Sequence, residues 1–262
     1  MLHRISYWGD RLWRTSATGF CFACFSFLAL AQSVLVFPVI YALPGERGAK
    51  AARVRALQQF SFARFVALME WLGLIRVHLH NRQLLERAGG HLVIANHPTL
   101  IDVVILFSLL PRANCVVKGA LWRNLYIRGV MLAGGFISNA SGDELLTGCR
   151  QALDDGQAVL IFPEGSRSVP GQALQFKRGA ANVAVRTDAP LLTVFITCRP
   201  LTLVKGEPWY RIPPRKAHID VFFYECLEPR ALLEQYDDKP RAARLLTRYL
   251  ENYYAEGLKR YG

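Results

Sequence analysis

The chain has 262 residues and a formal net charge of +12, and 52% of its residues are hydrophobic. This length suits one catalytic domain with an anchoring segment. A basic excess indicates an anionic partner, and the sequence contains neither a paired Cys/His finger nor an aromatic ribonucleoprotein motif. The apolar composition therefore favours a membrane phospholipid surface over nucleic acid as the partner.

The six cysteines are scattered along the chain. Cys21 and Cys24 form a CxxC pair, but the pair lies inside an apolar run and no second pair follows at metal-ligand spacing. We interpret the cysteines as small hydrophobic residues in a reducing compartment and expect no metal site.

The N-terminal segment has the composition of a membrane anchor. Trp8 and Trp13 lie among arginines, which is typical of a membrane–water interface, and residues 20–43 then carry no charge. Such a run can span a hydrocarbon core, which needs about 20 residues. Basic residues flank the run on both sides, whereas a single span predicts them mainly on one. This balance favours a hairpin or re-entrant segment broken near Pro38, with a single span as the alternative.

Residues 57–79 form a second apolar pattern, predicted to be a helix and interrupted by Arg64, Glu70 and Arg76. The pattern predicts an interfacial helix or the second arm of the anchor, and the alternative is a helix packed on the catalytic core. We therefore divide the chain into anchoring helices at residues 1–80 and a catalytic domain at residues 81–262.

From residue 89 onward, β-like apolar runs alternate with helical patterns. Strands are predicted at 92–95, 115–118, 136–137, 158–162, 191–197 and 219–224, and helices at 103–110, 121–133, 143–154, 176–186 and 241–258. Residues 205–216 are proline-rich and predict a surface loop. The alternation predicts an α/β fold, with a mixed, largely parallel sheet covered by helices.

A first candidate site follows the predicted strand at 92–95, where the sequence reads Asn96-His97-Pro98-Thr99-Leu100-Ile101-Asp102. If a helix starts at Pro98 or Thr99, Asp102 can reach back to the imidazole of His97. A carboxylate bonded to one ring nitrogen fixes the tautomer and raises the basicity of the other nitrogen. His97 is therefore a candidate general base, and the alternative is a helix-capping histidine beside a solvated aspartate.

A second motif, Phe162-Pro163-Glu164-Gly165-Ser166-Arg167-Ser168, follows the predicted strand at 158–162. Together the two motifs resemble the glycerolipid acyltransferase superfamily, the lysophosphatidate acyltransferases in particular, which carry His-x4-Asp followed by Phe-Pro-Glu-Gly-Thr/Ser-Arg-Ser. Residues 176–180 are similar to the family's Phe-Lys-x-Gly segment. The resemblance covers residues 92–197.

The resemblance implies an enzyme that moves an acyl chain from acyl-CoA or acyl carrier protein to a lysolipid hydroxyl in phospholipid biosynthesis. The thioester is a co-substrate, so no resident cofactor is expected. Direct attack by the acceptor needs a base but no serine nucleophile, and the chain has no G-x-S-x-G elbow. Because the thioester is cytoplasmic, the resemblance implies the cytoplasmic face of a membrane, which we expect to be a bacterial inner membrane.

The resemblance also implies roles for individual residues. His97 and Asp102 are the catalytic residues, and the substrate-binding candidates are Glu164, Gly165, Ser166, Arg167, Lys118 and Lys177. Glu164 orients the site and Arg167 contacts the acceptor phosphate. Lys118 follows a strand where the family often places a phosphate-contacting lysine, and an ordinary solvated lysine is the alternative. Lys177 and Arg178 could serve the acceptor phosphate, the donor carrier or the membrane surface.

Two positions depart from the family pattern. Asn139 replaces an arginine associated with glycerol-3-phosphate-type acceptors, and Thr193 replaces the second proline of a Val-Pro-Val type segment. The first departure opens two alternatives to a lysophosphatidate enzyme. One is an acyltransferase of the same fold that acts on a specialised lipid, and the other is a catalytically silent lipid-binding protein.

Overall fold

The computed structural model describes residues 2–110, 112–123, 125–233 and 238–261. The helices are α1 (Leu2–Ala31), α2 (Phe37–Ala42), α3 (Arg47–Trp71), α4 (Asp102–Leu109), α5 (Leu125–Gly134), α6 (Gly142–Asp154), α7 (Arg178–Thr187), α8 (Pro229–Leu233) and α9 (Lys239–Tyr261). The strands are β1 (Ile75–His80), β2 (Leu92–Ala95), β3 (Ala113–Val117), β4 (Ile137–Ser138), β5 (Ala158–Ile161), β6 (Leu191–Arg199) and β7 (Ala217–Leu227).

Within these ranges the strands form one seven-stranded sheet in the order β1-β7-β6-β2-β5-β3-β4. Neighbouring strands pair in parallel, except for β6 and β7, which pair antiparallel. Helices cover both faces of the sheet. The predicted α/β fold with a mixed, largely parallel sheet is confirmed.

The strands at the centre of the sheet are buried on both faces. In β2, Val93 and Ala95 pack into a core with α3 and α4, whereas Leu92 and Ile94 pack into a second core with α6, α7 and α9. Continuous apolar runs of this kind are typical of parallel strands covered on both sides. The same burial makes the C-terminal ends of the central strands a rigid support for the loops that follow.

The predicted helix at residues 57–79 is wrong at its C-terminal end. The helix α3 stops at Trp71, and Gly73 then adopts a φ of +72°, which glycine tolerates without steric cost. The chain continues as β1, which pairs with β7 and buries Ile75. The sheet therefore begins at Ile75 rather than at residue 81, where the catalytic domain was placed.

Two other predicted segments differ from the structure in type or in bounds. The helix expected at 121–133 consists of a 3-10 segment, Gly119–Arg123, and α5, which starts at Leu125. A further 3-10 segment, Arg82–Arg87, joins β1 to the loop before β2. The strand expected at 136–137 lies one residue later, at Ile137–Ser138, where it pairs with β3.

The N-terminal helices form a hairpin that packs on the sheet domain. The α1 helix continues through a π-helical segment, Gln32–Val36, into α2, so the predicted break at Pro38 is wrong. Proline is tolerated there because it lies in the first turn of α2. The chain turns back at residues 43–46, and α3 runs antiparallel to α1. Phe65 and Met69 of α3 lie in the core, which agrees with the alternative of a core-packed helix.

Hydrogen bonds join the two arms of this hairpin. The Trp13 indole N–H donates to the carbonyl of Leu72 at 3.2 Å, Arg14 donates to that of Gly73 at 2.6 Å, and Gln32 donates to Ser61 at 2.7 Å. In the described residues one helix, Gly9–Ala42, is long and apolar enough to cross a membrane, and 17% of its most apolar window is buried. The basic flanks of this helix lie at opposite ends of the hairpin.

Candidate active site

Three neighbouring parallel strands end at one edge of the sheet, and the predicted site residues follow them. His97 comes after β2, Glu164 after β5 and Lys118 after β3, which are consecutive in the sheet order. In open α/β sheets, ligands bind outside the carboxyl ends of the strands. The topology therefore collects the predicted residues at one edge, with Lys118 exposed at its rim.

His97 and Asp102 are in direct contact. The ring Nδ1 of His97 lies 2.8 Å from Oδ2 of Asp102, which is the first residue of α4 and is fully buried. Asp102 also accepts hydrogen bonds from the backbone N–H and the hydroxyl of Thr99. Because an ionised carboxylate only accepts, Nδ1 of His97 carries the proton and Nε2 carries the free lone pair.

The ring of His97 is fixed on a second side by an aromatic contact. It stacks on Phe162, with 4.2 Å between the ring centroids and 27° between the planes. The His97 side chain nevertheless keeps 14% of its surface exposed, while Asp102 keeps none. With Nδ1 engaged by Asp102, Nε2 is the nitrogen available to a substrate, which is the arrangement that a general base needs.

Glu164 ties the two motifs together. Its Oε1 atom accepts the backbone N–H of His97 and the hydroxyl of Ser168, each at 2.9 Å. The backbone N–H of Ser168 in turn donates to the carbonyl of His97 at 2.7 Å. Burial raises the pKa of Glu164, and the two hydrogen bonds to its carboxylate oppose that shift. The role of Glu164 in this geometry is to orient the loop that carries His97.

Gly165 creates room for a lysine beside the motif. Its φ is +67°, and a Cβ atom added there would lie 3.1 Å from Nζ of Lys177. The side chain of Lys177 therefore crosses directly over the glycine, and its backbone N–H donates to the carbonyl of Pro163 at 2.7 Å. A second amine approaches from another loop, since Lys205 Nζ donates to Ser166 Oγ at 2.8 Å. Two cations thus flank the segment that follows Glu164.

Arg167 contacts a loop of its own chain. Its Nη1 donates to the carbonyls of Leu203 and Val204 at 3.0 and 3.1 Å. The carbonyl of Leu203 also accepts the backbone N–H of Leu100 at 3.1 Å. Arg167 therefore fixes the loop after β6 against the His97 segment, and the predicted contact between Arg167 and the acceptor phosphate stays a prediction.

Asn139 has a local structural role. Its side-chain oxygen accepts the backbone N–H of Gly119 at 2.9 Å, and its backbone N–H donates to Val117 at 3.2 Å. These bonds hold the loop that carries Lys118. At the other departure, Thr193 is fully buried, and its hydroxyl lies 3.4 Å from that of Tyr253.

Three site residues were missed by the sequence interpretation: Thr99, Ser168 and Lys205. The first two lie inside the quoted motifs and hold the carboxylates of Asp102 and Glu164. Their spacing of three and four residues from those carboxylates could have indicated the contacts. Lys205 lies in the proline-rich loop and meets Ser166 only through the tertiary fold, so no local signal marks it. No group of three His, Cys, Asp or Glu residues in the described ranges is placed to hold a metal ion.

Comparisons with known proteins agree with this site. Residues 76–197 match the sequence profile of a family described as Acyltransferase, a segment that contains His97, Asp102, Glu164 and Arg167. The matched segment covers slightly less than half of the chain. It runs from β1 to β6 in chain order and contains the His97 and Glu164 motifs.

Several curated relatives resemble the acyltransferase segment. They include the 1-acyl-sn-glycerol-3-phosphate acyltransferase of Cocos nucifera, with 29% identity over 40% of this chain and 36% of the relative. The alpha form of Ovis aries is 27% identical over 65% of this chain and 61% of its own length. The Helicobacter pylori enzyme is 26% identical over 50% of this chain and 55% of its own. The alignments with these three relatives span less than two thirds of each relative's length.

A solved structure extends the fold comparison to nearly the whole chain. The 1-acyl-sn-glycerophosphate acyltransferase PlsC of Thermotoga maritima superposes with a TM-score of 0.68, at 19% sequence identity. The superposition covers 94% of this chain and 97% of that protein. The Thermotoga maritima protein therefore shares the overall fold described here, including its N-terminal part.

Proposed function

We propose that this protein transfers an acyl chain from an acyl thioester to the hydroxyl of a lysophospholipid of the 1-acyl-glycerol-3-phosphate type, as a step of phospholipid biosynthesis. The observation that carries the proposal is the buried Asp102 bonded to Nδ1 of His97, with Nε2 of His97 left for a substrate. The similarity to proteins named 1-acyl-sn-glycerol-3-phosphate acyltransferases supports the same reaction.

The base chemistry follows from the tautomer of His97. The acceptor hydroxyl donates its proton to Nε2 as its oxygen attacks the thioester carbonyl carbon. The buried carboxylate of Asp102 stabilises the imidazolium that forms. The carbon–sulfur bond then breaks, and the imidazolium returns the proton to the leaving thiolate. Atoms and charges balance without a covalent enzyme intermediate.

Two lysine amines lie beside the loop that is bonded to the base, and we propose that they bind the acceptor phosphate. Lys177 crosses Gly165 and Lys205 bonds to Ser166, so both amines flank the segment next to Glu164. The guanidinium of Arg167 supports the same loops and is the family's expected phosphate contact. Fixed cations around a phosphate hold the acceptor hydroxyl in line with the base, which lowers the entropic part of the barrier.

Asn139 favours a second candidate acceptor. Its side chain is occupied with the backbone of Gly119, and it supplies no charge to a phosphate. A lysolipid with a different headgroup would not need a positive charge at Asn139. The second candidate is therefore transfer to a specialised lysolipid by the same base and the same direct attack.

Membrane association accounts for the apolar surface of the N-terminal hairpin. Phe27 and Leu35 of its first arm are 74% and 66% exposed, and Trp71 at the end of α3 is 81% exposed. Trp209 packs edge-on against Phe22 of α1, which joins the loop after β6 to this surface. We propose that the hairpin lies along the cytoplasmic face of the bilayer and presents the His97 edge to lipids.

A turnover assay with a panel of lysolipids tests these proposals. Purified full-length protein in lipid vesicles receives acyl-CoA or acyl carrier protein thioester and either lysophosphatidate or a lysolipid with another headgroup. Preference for lysophosphatidate supports the first candidate, and preference for another headgroup supports the second. Absence of transfer to every acceptor with both thioesters would overturn the proposed activity and favour a lipid-binding role.

A further inference from the structure

An open cleft of about 740 Å³ is lined by residues of α3 and α6 and by residues around β3, β4 and β5. Asn114 at the start of β3 and Gln157 just before β5 line it, and these strands end at the opposite edge, beside Lys118 and Glu164. The cleft therefore lies near the N-terminal ends of the strands whose C-terminal ends carry the catalytic loops, and no residue of the proposed acyl-transfer site lines it.

The first residues of α3 form one wall of this cleft. Arg47, Gly48 and Ala49 line it, and the helix has no side-chain cap at its N-terminus. The first backbone N–H groups of a helix have no partner within the helix and favour an anion. Gly48 and Ala49 carry no bulky side chain that would keep an anion away from those amides.

A buried arginine provides a second and independent observation. Arg55 lines the cleft, keeps only 9% of its surface exposed, and its Nε has no hydrogen-bond partner among the described residues. Its Nη1 donates to the carbonyl of Gly134 at 2.9 Å, which fixes the guanidinium in place. A buried charge with an incomplete set of partners is costly unless a counter-charge joins it.

The other charges of the cleft leave a positive balance. Arg47, Arg55 and Arg112 face Glu144 and Asp155 across it. The Asp155 carboxylate already accepts a hydrogen bond from Gln157, at 3.3 Å. Burial lowers the pKa of Arg55, the charge of Arg112 lowers it further, and Asp155 opposes both effects. Burial thus disfavours the charged form of Arg55, and an anion bound in the cleft would stabilise that charge.

We propose that this cleft is a second anion site, which binds a phosphate group through the N-terminal amides of α3 together with Arg55 and Arg112. The phosphate belongs either to a lipid headgroup or to a soluble phosphate ester, because both present the same oxygens to amides and guanidinium groups. The cleft is wide enough for a phosphate with an organic substituent. It lies beside the turn of the N-terminal hairpin, so a headgroup there would contact the protein far from His97.

The test uses full-length protein in detergent micelles and two cleft variants. Arg112→Gln removes one exposed cation, and Ala52→Glu places a carboxylate at an exposed cleft position of α3. Arg248→Gln and Ala255→Glu are the matched controls, because they make the same changes at exposed positions of α9. Lys205→Gln reports phosphate binding at the catalytic edge.

Calorimetric titration with inorganic phosphate gives the first readout. We expect the dissociation constant to rise at least about tenfold in Arg112→Gln and binding to disappear in Ala52→Glu, with both controls unchanged. The second readout is sedimentation with phosphatidylcholine vesicles that contain or lack phosphatidate. If the cleft variants no longer sediment with phosphatidate vesicles, the ligand of the cleft is a lipid headgroup. If they lose only the binding of inorganic phosphate, the ligand is a soluble phosphate ester. The proposal is overturned if neither readout changes in the cleft variants, or if only Lys205→Gln changes them.

Discussion

The carboxylate of Glu164 accepts the backbone N–H of His97 at 2.9 Å, so the two sequence motifs form one hydrogen-bonded unit. The carbonyl of His97 completes the unit by accepting the backbone N–H of Ser168. The main chain that carries the proposed base is thereby held on both sides by the loop after β5. Changes in the protonation of Glu164 should consequently affect the position of His97.

The pH dependence of the reaction tests this link. Because burial raises the pKa of Glu164, the carboxylate is protonated at higher pH than an ordinary glutamate, and a protonated oxygen accepts the N–H of His97 less well. We therefore expect kcat/KM to fall as the pH is lowered, beginning at a pH above the ordinary pKa range of a glutamate. Glu164→Gln should abolish this decrease, since an amide oxygen accepts the same bonds without titrating. A Glu164→Gln profile identical to that of the wild type would contradict this role.

The raised pKa of Glu164 has the opposite effect on its contribution to stability, which is greater at low pH, whereas activity is lower there. The folded protein binds the Glu164 proton more tightly than the unfolded chain, so the contribution of this group to stability falls as pH rises from the ordinary glutamate range through the raised pKa. The stability difference between wild type and Glu164→Gln should therefore vary with pH in that window and stay constant above it. Urea unfolding at a series of pH values measures this difference.

Removal of the base tests the proposed mechanism. His97→Ala should lower kcat by about 10²–10⁴, the usual contribution of a positioned general base, because no other group takes the proton from the acceptor. Asp102→Asn should also reduce kcat strongly, since an amide at this position no longer fixes the tautomer of His97. Circular dichroism and vesicle sedimentation should be unchanged for His97→Ala. Near-normal turnover of that variant would refute the mechanism.

Substitution of Arg167 should lower both stability and activity, whereas substitution of Lys205 should weaken only acceptor binding. Arg167→Ala removes hydrogen bonds to Leu203 and Val204, so we expect a loss of about 1.5–3 kcal/mol in the free energy of unfolding together with a fall in kcat/KM. Lys205→Ala should leave stability unchanged and raise the acceptor KM on the order of tenfold. Thermal unfolding and initial rates with varied acceptor and varied thioester separate the two. If Lys205→Ala changes only the thioester KM, Lys205 belongs to the carrier site.

Much of the fold follows from local patterns. The strand at Leu92–Ala95 was predicted with its exact bounds, because a short apolar run between polar loops predicts a buried strand. The strand β1 was missed because its apolar residues Ile75, Val77 and Leu79 alternate with arginine and histidine, directly after a long helix. That alternation is the pattern of a half-buried edge strand, and the helix hid it.

The site was predictable only where its residues are close in sequence. His97 and Asp102 are five residues apart, and the spacing together with the family resemblance indicated their contact. The contact of Lys205 with Ser166 and that of Arg167 with Leu203 depend on how the loop after β6 returns to β5. No periodicity or motif encodes that return, so the interpretation of residues 205–216 as an ordinary surface loop missed a part of the site.

A buried tyrosine of α9 should contribute to the stability of the catalytic strands. The Tyr254 hydroxyl donates to the carbonyl of Ile94 in β2 and accepts the backbone N–H of Val194 in β6. Tyr254→Phe removes both hydrogen bonds, and we expect a loss of about 1–3 kcal/mol in the free energy of unfolding. Tyr249→Phe is the matched control, because Tyr249 is on the same helix and 40% exposed. Equal unfolding midpoints for the two variants would contradict the prediction.

The orientation of the hairpin on the membrane can be tested by cysteine labelling. Gly9 lies at the end of the hairpin where Arg14 meets Gly73, and Ala49 lies at its turn, and both are exposed. If the hairpin lies along the cytoplasmic face, both positions are on the same side of the membrane. In a background with Cys21 and Cys24 replaced, Gly9→Cys and Ala49→Cys should resist a membrane-impermeant thiol reagent in intact cells and react after permeabilisation.

The same arrangement predicts how the protein is released from membranes. Apolar burial is not screened by salt, so high salt should leave the protein bound and detergent should release it. Phe27→Glu places a charge at an exposed position of the apolar surface and should shift the protein toward the soluble fraction, whereas Ala255→Glu on α9 should not. Labelling of Gly9→Cys alone in intact cells would instead establish a single span by α1 and α2. In that case Arg14 and Arg47 would face opposite compartments, and the hairpin contacts between Trp13 and Leu72 could not form in the membrane.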